Sequence, residues 1–359
     1  MKVDFIVGAR PNFMKLAPII RAIKKKRSKH IDWRIIHTGQ HYDQKMSDIF
    51  FSQLDIPLPD FNLGVGSGTH ASQTGSIMIS YEKLLIESPS DYCMVLGDVN
   101  STVSGALVAK KLGMRLGHVE GGLRSGDIEM PEEINRLVTD SISDDFFVTS
   151  NYAVSNLIQE GHDNDKIHFV GNTMIDTLIH NINNLKSPFS THHNPNPFIL
   201  LTIHRPANVD NIERLKEILN SVIDGAKGKT IVFPVHPRTR LALENLEDIS
   251  SKFLLLEPQP YQEFIYLLKN CEAVVSDSGG ISEEATFLSK QCITLRDTTE
   301  RPETIDSGYN VLVGNDLQKI AYYLNKLKNN EHKEKKIPDM WDGNAGERIA
   351  DALIKISKE

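Results

Sequence analysis

The chain has 359 residues, enough for two domains of ordinary size that each bury a core. Lysine and arginine number 40 against 47 for aspartate and glutamate, so the formal net charge is −7, which argues against a general surface for nucleic acid or anionic membranes. The content of 40 % hydrophobic and 24 % charged residues is typical of a soluble globular protein. No apolar run approaches the roughly 20 residues that span a bilayer, and the opening MKVDFIVGAR is typical of a first strand rather than of a signal peptide. We therefore expect a cytoplasmic protein.

Short apolar runs alternate with amphipathic stretches along the whole chain, which predicts repeated βα units and parallel sheets. The first set of predicted strands lies at residues 3–7, 33–37, 92–96, 115–119, 145–148 and 167–169. The second set lies at residues 198–202, 230–234, 253–256, 273–276, 292–295 and 311–312. Residues 186–197 between the sets are polar and contain three prolines, which cannot continue a helix or a central strand. The chain is therefore predicted to form α/β domains at 1–185 and 198–341 around this linker, with a last helix at 342–359 that packs back on the first domain.

Three cysteines, Cys93, Cys271 and Cys292, lie far apart in apolar stretches without a C-x-x-C pair. An odd number of cysteines in a chain expected to stay in a reducing compartment argues against a disulfide framework. We expect buried thiols that serve as small hydrophobic side chains.

In the first domain, a group of basic residues follows the first predicted strand, where the carboxyl end of a parallel strand meets the next helix. The segment GARPNFMK starts at Gly8, which allows a tight turn, and its Arg10 and Lys15 place two cations beside a helix start. This arrangement suits a diphosphate, although an ordinary turn with solvated basic side chains has the same pattern. The segment is neither a Walker loop nor a G-x-G-x-x-G fingerprint, so a nucleoside triphosphate or a dinucleotide is not indicated.

Three acids follow neighbouring strands of the same domain: Asp98 in GDVNST, Glu120 in HVEGGLR and Glu132 in PEEINR. Two glycines after Glu120 are expected to leave room for a ligand. Asp98 could instead cap a helix, and a Pro-Glu-Glu opening is also an ordinary helix start. Carboxylates gathered at one sheet edge repel each other, which yields groups that exchange protons near neutral pH. The set predicts acid/base catalysis; a metal site is the alternative, but these motifs lack Asp-x-Asp and His-x-x-His spacing.

The second domain carries groups that suit an anion. The segments His204–Pro206 and His236–Arg238 follow consecutive strands, although either histidine could be structural. At Ser278–Gly280 a strand end, a glycine turn and a helix start coincide, so backbone N–H groups and the Ser278 hydroxyl could hold phosphate. Glu284, about one helical turn further on, could accept hydrogen bonds from ribose hydroxyls, and residues 296–303 add charge. Together these segments predict half of a nucleotide-diphosphate site.

Taken in chain order, GARPNFMKLAP, GDVNST, GHVEGGLR, PEEINR, HRP, PVHPR, SDSGGISEEA and RDTTERPE resemble the motifs of the non-hydrolysing UDP-N-acetylglucosamine 2-epimerase family. The resemblance runs from about residue 3 to residue 314. It implies two Rossmann-like domains that face each other across a cleft, as in the glycosyltransferase-B-like fold, with UDP bound by the second domain. It also implies a homodimer that needs no metal, nicotinamide or other cofactor.

The activity implied by the resemblance is the interconversion of UDP-N-acetylglucosamine and UDP-N-acetylmannosamine, for surface polysaccharide precursors. UDP is lost by anti elimination to 2-acetamidoglucal and is added back with inversion at C2. The implied catalytic residues are Asp98, Glu120, Glu132 and His204. The implied substrate-binding residues are Arg10, Lys15, Arg136, His236, Gln259, Phe264, Ser278, Gly279, Gly280, Glu284 and Arg301, with Gln259 and Phe264 at the uracil.

Three departures from the family pattern leave alternatives open. Residues 37–44 differ from those of bacterial members that bind a second UDP-N-acetylglucosamine as an activator, which argues against such activation here. Ala207 stands where the family commonly has a glutamate, and residues 125–130 (SGDIEM) resemble a branch that includes enzymes of UDP-diacetamido-uronic acids. A 2-epimerase of a related UDP-sugar, a hydrolysing epimerase, a glycosyltransferase and a non-catalytic nucleotide-sugar sensor are the alternatives.

Overall fold

The computed structural model describes residues 1–27, 29–39, 51, 53–189, 195, 197–326 and 336–358. Within this part the chain forms two compact units. Unit 1 comprises Met1–His180 together with Asp339–Glu359, and unit 2 comprises Asn181–Pro338. Residues 40–44 of the predicted departure at 37–44, and residues 190–194 and 196 of the predicted linker, lie outside the described residues.

Unit 1 is built on a seven-stranded parallel sheet with the strand order β3-β2-β1-β4-β5-β6-β7. Its strands are β1 (Lys2–Val7), β2 (Asp32–His37), β3 (Phe61–Asn62), β4 (Tyr92–Leu96), β5 (Arg115–Val119), β6 (Asp145–Val148) and β7 (Ile167–Phe169). Its helices span Arg10–Lys26, His70–Glu87, Asn100–Lys111, Pro131–Ile142, Asn151–Gln159, Thr173–Asn181 and Ala345–Ile356, with a 3₁₀ turn at Asn164–Lys166. The six predicted strands of the first set are confirmed, and β3 was not predicted because two residues are too short to show a period.

Unit 2 is built on a six-stranded parallel sheet with the order β10-β9-β8-β11-β12-β13. Its strands are β8 (Phe198–Thr202), β9 (Thr230–Pro234), β10 (Leu254–Leu256), β11 (Ala273–Ser276), β12 (Gln291–Thr294) and β13 (Asn310–Leu312). Its helices span Pro206–Val209, Ile212–Ala226, Pro237–Leu243, Glu247–Ser250, Tyr261–Asn270, Gly279–Phe287, Pro302–Asp306 and Gln318–Lys326. The prediction of an α/β protein with two parallel sheets is therefore confirmed.

Both sheets are covered, as their near-continuous apolar strands require. All residues of β4 and β11 are buried, and so are the first four of β8. The thiols of Cys93, Cys271 and Cys292 are free and buried, as expected. None of the helices in the described part of the chain combines the length and the apolar content that crossing a membrane requires.

The C-terminal helix Ala345–Ile356 belongs to unit 1 and packs on its first helix. A proline in that first helix, Pro18, has no N–H, so the carbonyl of Met14 loses its helical partner and instead accepts a hydrogen bond of 2.7 Å from Thr177 Oγ1. Gly346 lies so close that a Cβ there would be 2.5 Å from the Pro18 carbonyl oxygen. The Gly346 N–H donates to Asp176 Oδ2 at 2.8 Å, which fixes the start of the last helix.

Candidate active site

In unit 1 the predicted residues meet where the strand order reverses. Chain connections run outward in opposite directions from β1 and β4, which are neighbours, so the loops that follow these strands leave a crevice between them. Asn12 joins the two loops: its Oδ1 accepts from the N–H groups of Gly8 and Ala9 at 3.0 Å, and its Nδ2 donates to the Leu96 carbonyl at 2.8 Å. Asn12 was not predicted, because a lone asparagine near a helix start has no distinctive sequence signal.

A buried ion pair lies directly beside this crevice. Lys15 Nζ is 2.6 Å from Glu120 Oε2, with both side chains less than a tenth exposed. Gly97 must be a glycine here, because its φ is +65° and a Cβ would lie 2.7 Å from Lys15 Nζ. Glu120 itself has φ +70°, a conformation that costs a non-glycine residue free energy and is common at functional sites. The loops after β1, β4 and β5 thus converge on Lys15 and Glu120.

Asp98 is held by a second cation. Arg136 Nε donates to Asp98 Oδ2 at 3.0 Å, Arg136 Nη1 bonds Glu133, and Asn135 Nδ2 donates to the Asp98 carbonyl at 2.8 Å. Glu133 also accepts from the N–H groups of Ser125 and Gly126 and thereby fixes the loop before the helix. The Arg136 side chain is only 2 % exposed and supports Asp98, and the substrate contact predicted for it stays a prediction.

The remaining predicted residues of unit 1 lie in the first turns of two helices. Arg10 is exposed and begins the helix Arg10–Lys26, and Glu132 is half-buried in the helix Pro131–Ile142. Within the described part of the chain the side chain of Glu132 forms no hydrogen bond or ion pair, whereas Asp98 and Glu120 each face a cation. Two of the three predicted carboxylates are therefore paired with basic side chains rather than crowded together without compensation.

Three glycines serve close packing, and the expectation that two of them, Gly121 and Gly122, leave room for a ligand was wrong. A Cβ at Gly121 would lie 3.0 Å from Asp140 Oδ1, and one at Gly122, which has φ +80°, would lie 2.5 Å from the Ala153 carbonyl oxygen. Protein atoms therefore occupy the space that was expected to receive a ligand. Gly8 also serves close packing, because a Cβ there would lie 1.9 Å from Ser101 Oγ at the start of the helix Asn100–Lys111.

In unit 2 the strand order reverses between β8 and β11, and the loops after these strands hold His204 and Asp277. His204 Nδ1 is 2.8 Å from Asp277 Oδ1. The carboxylate of Asp277 is fully buried and also accepts from the N–H groups of His204 and Arg205 and from Asn208 Nδ2. Burial acts to raise the pKa of Asp277, but the hydrogen bond and charge of His204 hold it below its ordinary value. Asp277 was not predicted as a site residue, although it stands in the SDSGG motif.

His236 is exposed, and its ring centroid lies 5.7 Å from that of His204. Its Nδ1 accepts from the Arg238 N–H at 3.2 Å, so it caps the helix that follows. Burial and the charge of His204 lower the pKa of His236, which favours a neutral ring that presents Nε2–H. The Arg238 side chain pairs with Asp210 instead: its Nε and Nη2 donate to the two Asp210 carboxylate oxygens at 2.9 and 3.1 Å.

The Ser278–Gly280 turn begins the helix Gly279–Phe287, and no side chain caps that helix. A Cβ at Gly279 would lie 2.5 Å from Glu300 Oε1, whereas a Cβ at Gly280 would meet no atom of the described residues within 4 Å. The Gly280 side of the helix start is therefore open, which suits an anion against its backbone N–H groups. Arg296, which pairs with Glu300 at 2.8 Å, lies beside the turn and was not predicted individually.

The other predicted residues of unit 2 lie on three helices or directly before them. Glu284 is buried, and burial raises its pKa to about 8, although the Tyr261 hydroxyl opposes the shift. Arg301 is buried and its Nε donates to Glu283 Oε1 at 2.6 Å. Gln259 and Phe264 are half-buried at the start of the helix Tyr261–Asn270, where Gln259 Nε2 donates to the Glu257 carbonyl at 2.6 Å.

No group of three or more histidine, cysteine, aspartate or glutamate side chains within the described ranges is arranged to hold a metal ion. Unit 1 therefore offers carboxylates paired with cations, and unit 2 offers an oriented histidine and an open helix start. The first set can exchange protons with a ligand, and the second can bind a phosphate-bearing one.

Comparison with known proteins gives consistent results. A profile described as UDP-N-acetylglucosamine 2-epimerase matches residues 23–354. A UDP-N-acetylglucosamine 2-epimerase of Methanocaldococcus jannaschii is 44 % identical over 98 % of this chain and 99 % of its own, and a UDP-2,3-diacetamido-2,3-dideoxy-D-glucuronate 2-epimerase of Pseudomonas aeruginosa is 40 % identical over 88 % of each. The solved structure of the Methanocaldococcus enzyme with UDP-GlcNAc and UDP has a TM-score of 0.87, with 43 % identity over 99 % of this chain and 100 % of its own.

Proposed function

Because the chain belongs to the UDP-N-acetylglucosamine 2-epimerase family, whose fold is glycosyltransferase-B-like, we propose that it interconverts UDP-N-acetylglucosamine and UDP-N-acetylmannosamine. The observation that carries the proposal is the cluster at the carboxyl ends of β1, β4 and β5, where Asp98 and Glu120 are each held beside a cation. A carboxylate with a fixed cationic neighbour stays ionised and can accept a proton. This is the chemistry that inversion at a sugar carbon requires.

The proposed reaction begins with loss of UDP. The C1–O bond breaks, its electron pair stays on the diphosphate oxygen, and positive charge develops at C1. That charge acidifies the C2 hydrogen, so a carboxylate can remove the proton while the C2–H electron pair forms the C1–C2 double bond of 2-acetamidoglucal. Addition of a proton to the opposite face of C2, with return of the diphosphate oxygen to C1, completes the inversion.

Acid/base groups are needed on both faces of C2, and we assign this role to Asp98, Glu120 and Glu132. Two of them lie in fixed ion pairs, whereas the side chain of Glu132 forms no hydrogen bond or ion pair with other described residues. Transfer in both directions requires one group that accepts a proton and one that donates it.

The departing diphosphate needs positive charge and hydrogen-bond donors. We assign its binding to Arg10 and Lys15 in unit 1 and to His204, Arg301 and the Gly279–Gly280 N–H groups in unit 2. Asp277 supports this role of His204, because an imidazole whose Nδ1 is bound to a carboxylate presents Nε2 to a ligand. We assign His236 to the same half-site, beside His204. Glu284 is assigned to the ribose, and Gln259 and Phe264 are assigned to the uracil. The homodimer and the cytoplasmic location remain predictions.

The experiment is incubation of the purified protein with UDP-N-acetylglucosamine in deuterated water. We expect UDP-N-acetylmannosamine to form and deuterium to enter at C2, in the substrate as well as in the product. Asp98→Asn is the matched variant, because it keeps the size of the side chain and removes its charge. Absence of both products in the wild-type protein would refute the proposal, and accumulation of free UDP with N-acetylmannosamine would indicate a hydrolysing enzyme instead.

A second candidate is a 2-epimerase of a UDP-diacetamido-uronic acid, favoured by the identity of 40 % to the Pseudomonas enzyme. Both candidates share the elimination and differ in the substituents at C3 and C6 of the sugar. A panel of UDP-sugars under the same conditions distinguishes them, since the true substrate has the higher kcat/KM.

A further inference from the structure

One buried histidine of unit 1 is outside the site residues assigned above, yet it contacts one turn and one helix that carry them. His118 is the fourth residue of β5, two residues before Glu120, and its side chain is fully buried. Its Nδ1 is 2.6 Å from Asp140 Oδ1, and its Nε2 is 2.8 Å from the Gly97 carbonyl oxygen. The ring therefore spans from the helix Pro131–Ile142 to the turn that precedes Asp98.

Both neighbours of the ring are acceptors. A peptide carbonyl accepts hydrogen bonds only, so His118 Nε2 carries a proton. A carboxylate also only accepts, so Nδ1 carries a second proton unless Asp140 is itself protonated. The other oxygen of Asp140 accepts from the Gly122 N–H at 2.9 Å and from Arg124 Nη1 at 2.7 Å, which favours the ionised carboxylate.

Charge is balanced around the ring. Asp140 faces His118 on one side and Arg124 on the other, and Arg124 in turn donates to Glu160 at 2.7 Å. Next to Gly97 lies the ion pair of Lys15 and Glu120, whose two charges cancel. A buried imidazolium is tolerated in these surroundings, because its compensating carboxylate is fixed by two further donors.

We propose that His118 is a doubly protonated positioning residue which, together with Asp140, ties the turn before Asp98 to the turn after Glu120. The His118 ring holds the Gly97 carbonyl, and Asp140 holds the Gly122 N–H, so the two proposed catalytic carboxylates are kept at a fixed separation by one ion pair. The absence of a side chain at Gly121 is part of this device, since a Cβ there would lie 3.0 Å from Asp140 Oδ1 and 3.5 Å from His118 Nδ1. The role of the pair rests on the proposed function, whereas the protonation of His118 does not.

The first test is nitrogen NMR of the full chain labelled with ¹⁵N-histidine, at pH 7.5, with the His118 signals assigned by their loss in His118→Gln. We expect both ring nitrogens of His118 to show the shifts of a protonated imidazolium. A neutral ring with one protonated nitrogen would overturn the proposal. This measurement does not depend on activity, so it stands even if the protein fails to epimerise any UDP-sugar.

The second test is Asp140→Asn, which keeps the shape of the side chain. The asparagine oxygen can still accept from Gly122, and its NH₂ group can donate to Nδ1, so the hydrogen bonds persist while His118 becomes neutral. These neutral hydrogen bonds are weaker than the charged ones that they replace, so the two turns are held less firmly. Because displacements of about 1 Å at a catalytic group cost up to roughly 100-fold in rate, we expect kcat to fall about 10- to 100-fold with little change in KM. An unchanged kcat in a protein whose His118 is neutral by NMR would overturn the proposal.

The matched control is Asp145→Asn. Asp145 is also a buried carboxylate with a cationic partner, Arg115 at 2.8 Å, but it begins β6 and thus lies at the opposite edge of the sheet from the site. We expect Asp145→Asn to lower the thermal stability of unit 1 and to leave kcat of the folded protein within about twofold. If kcat fell equally in both variants, the effect of Asp140→Asn would be general destabilisation, and the positioning role would be refuted.

Discussion

Glu284 gives a direct test of the assignments in unit 2, because its carboxyl is buried and has no ion-pair partner among the described residues. Burial raises its pKa from 4.5 to about 8. Between these two values the unfolded chain is ionised at this position while the folded protein holds a proton. Stability from this group is therefore fully present below about pH 4.5 and is lost as the pH rises towards 8.

The perturbation is Glu284→Gln, which keeps the shape of the protonated carboxyl and cannot ionise. A difference of about 3.5 pH units at about 1.4 kcal/mol each sets an upper limit of about 5 kcal/mol. Relaxation around the ionised carboxylate recovers part of that cost, so we expect the variant to be more stable than the wild type by about 2 to 3 kcal/mol at pH 8.5. At pH 4.5 the two proteins should be equally stable.

The assay has to follow unit 2 by itself. Both tryptophans, Trp33 and Trp341, lie in unit 1, so their fluorescence reports on the wrong unit. Amide hydrogen exchange of peptides from the helix Gly279–Phe287, corrected for the intrinsic effect of pH, gives the local free energy of opening. Tryptophan fluorescence in urea then serves as the internal control and should be the same for both proteins.

The neighbouring acid provides the matched variant. Glu283 is also buried, but it pairs with Arg301, so Glu283→Gln should destabilise unit 2 at neutral as well as at alkaline pH. Equal pH dependence of wild type and Glu284→Gln would refute the reasoning. If Glu284 also accepts from ribose, as proposed, the stabilised variant binds UDP more weakly, which calorimetry measures.

Three further predictions concern the proposed substrate contacts. Gly280→Ala should leave the melting temperature unchanged or slightly raised, because the site is open and alanine favours a helix. The added methyl group should nevertheless raise KM for the UDP-sugar at least about 10-fold, because it occupies the proposed phosphate site. In Gly279→Ala the methyl group meets Glu300, so this variant should instead have a lower melting temperature. Lys15→Met should leave the buried Glu120 carboxylate unpaired, costing about 3 to 5 kcal/mol of stability in urea titrations, together with nearly all activity. Asp98→Asn should abolish deuterium incorporation while UDP binding by calorimetry stays within about threefold; loss of both would contradict its assignment as an acid/base group.

The arrangement of strands could be predicted from the sequence, because fully buried parallel strands are continuous apolar runs. β4 and β5 have the predicted bounds, β1 begins one residue earlier than predicted, and β12 is shifted by one residue at both ends. The two-residue β3 carries too little pattern to be found. Strand ends were also enough to bring Lys15, Asp98 and Glu120 to one sheet edge.

The pairing within the site could not be predicted. Lys15 and Glu120, or Asp98 and Arg136, are distant in sequence, and nothing in the spacing shows which cation meets which acid. The roles of Gly121 and Gly122 were misinterpreted for the same reason. The sequence shows that both lack a side chain, but only the fold shows that Asp140 and Ala153 occupy the space next to their Cα atoms. His118 has the pattern of an ordinary strand residue, and its two acceptors become visible only in three dimensions.

The return of the chain to unit 1 at Asp339 has a consequence for biosynthesis. A ribosome must complete all of unit 2 before it makes the helix Ala345–Ile356, so the surface of the first helix around Pro18 stays uncovered through most of translation. Unit 2 can therefore fold before the last segment of unit 1 has been synthesised. Nascent chains that stall late in translation should therefore expose this apolar surface to chaperones, whereas chains released with the final helix should not.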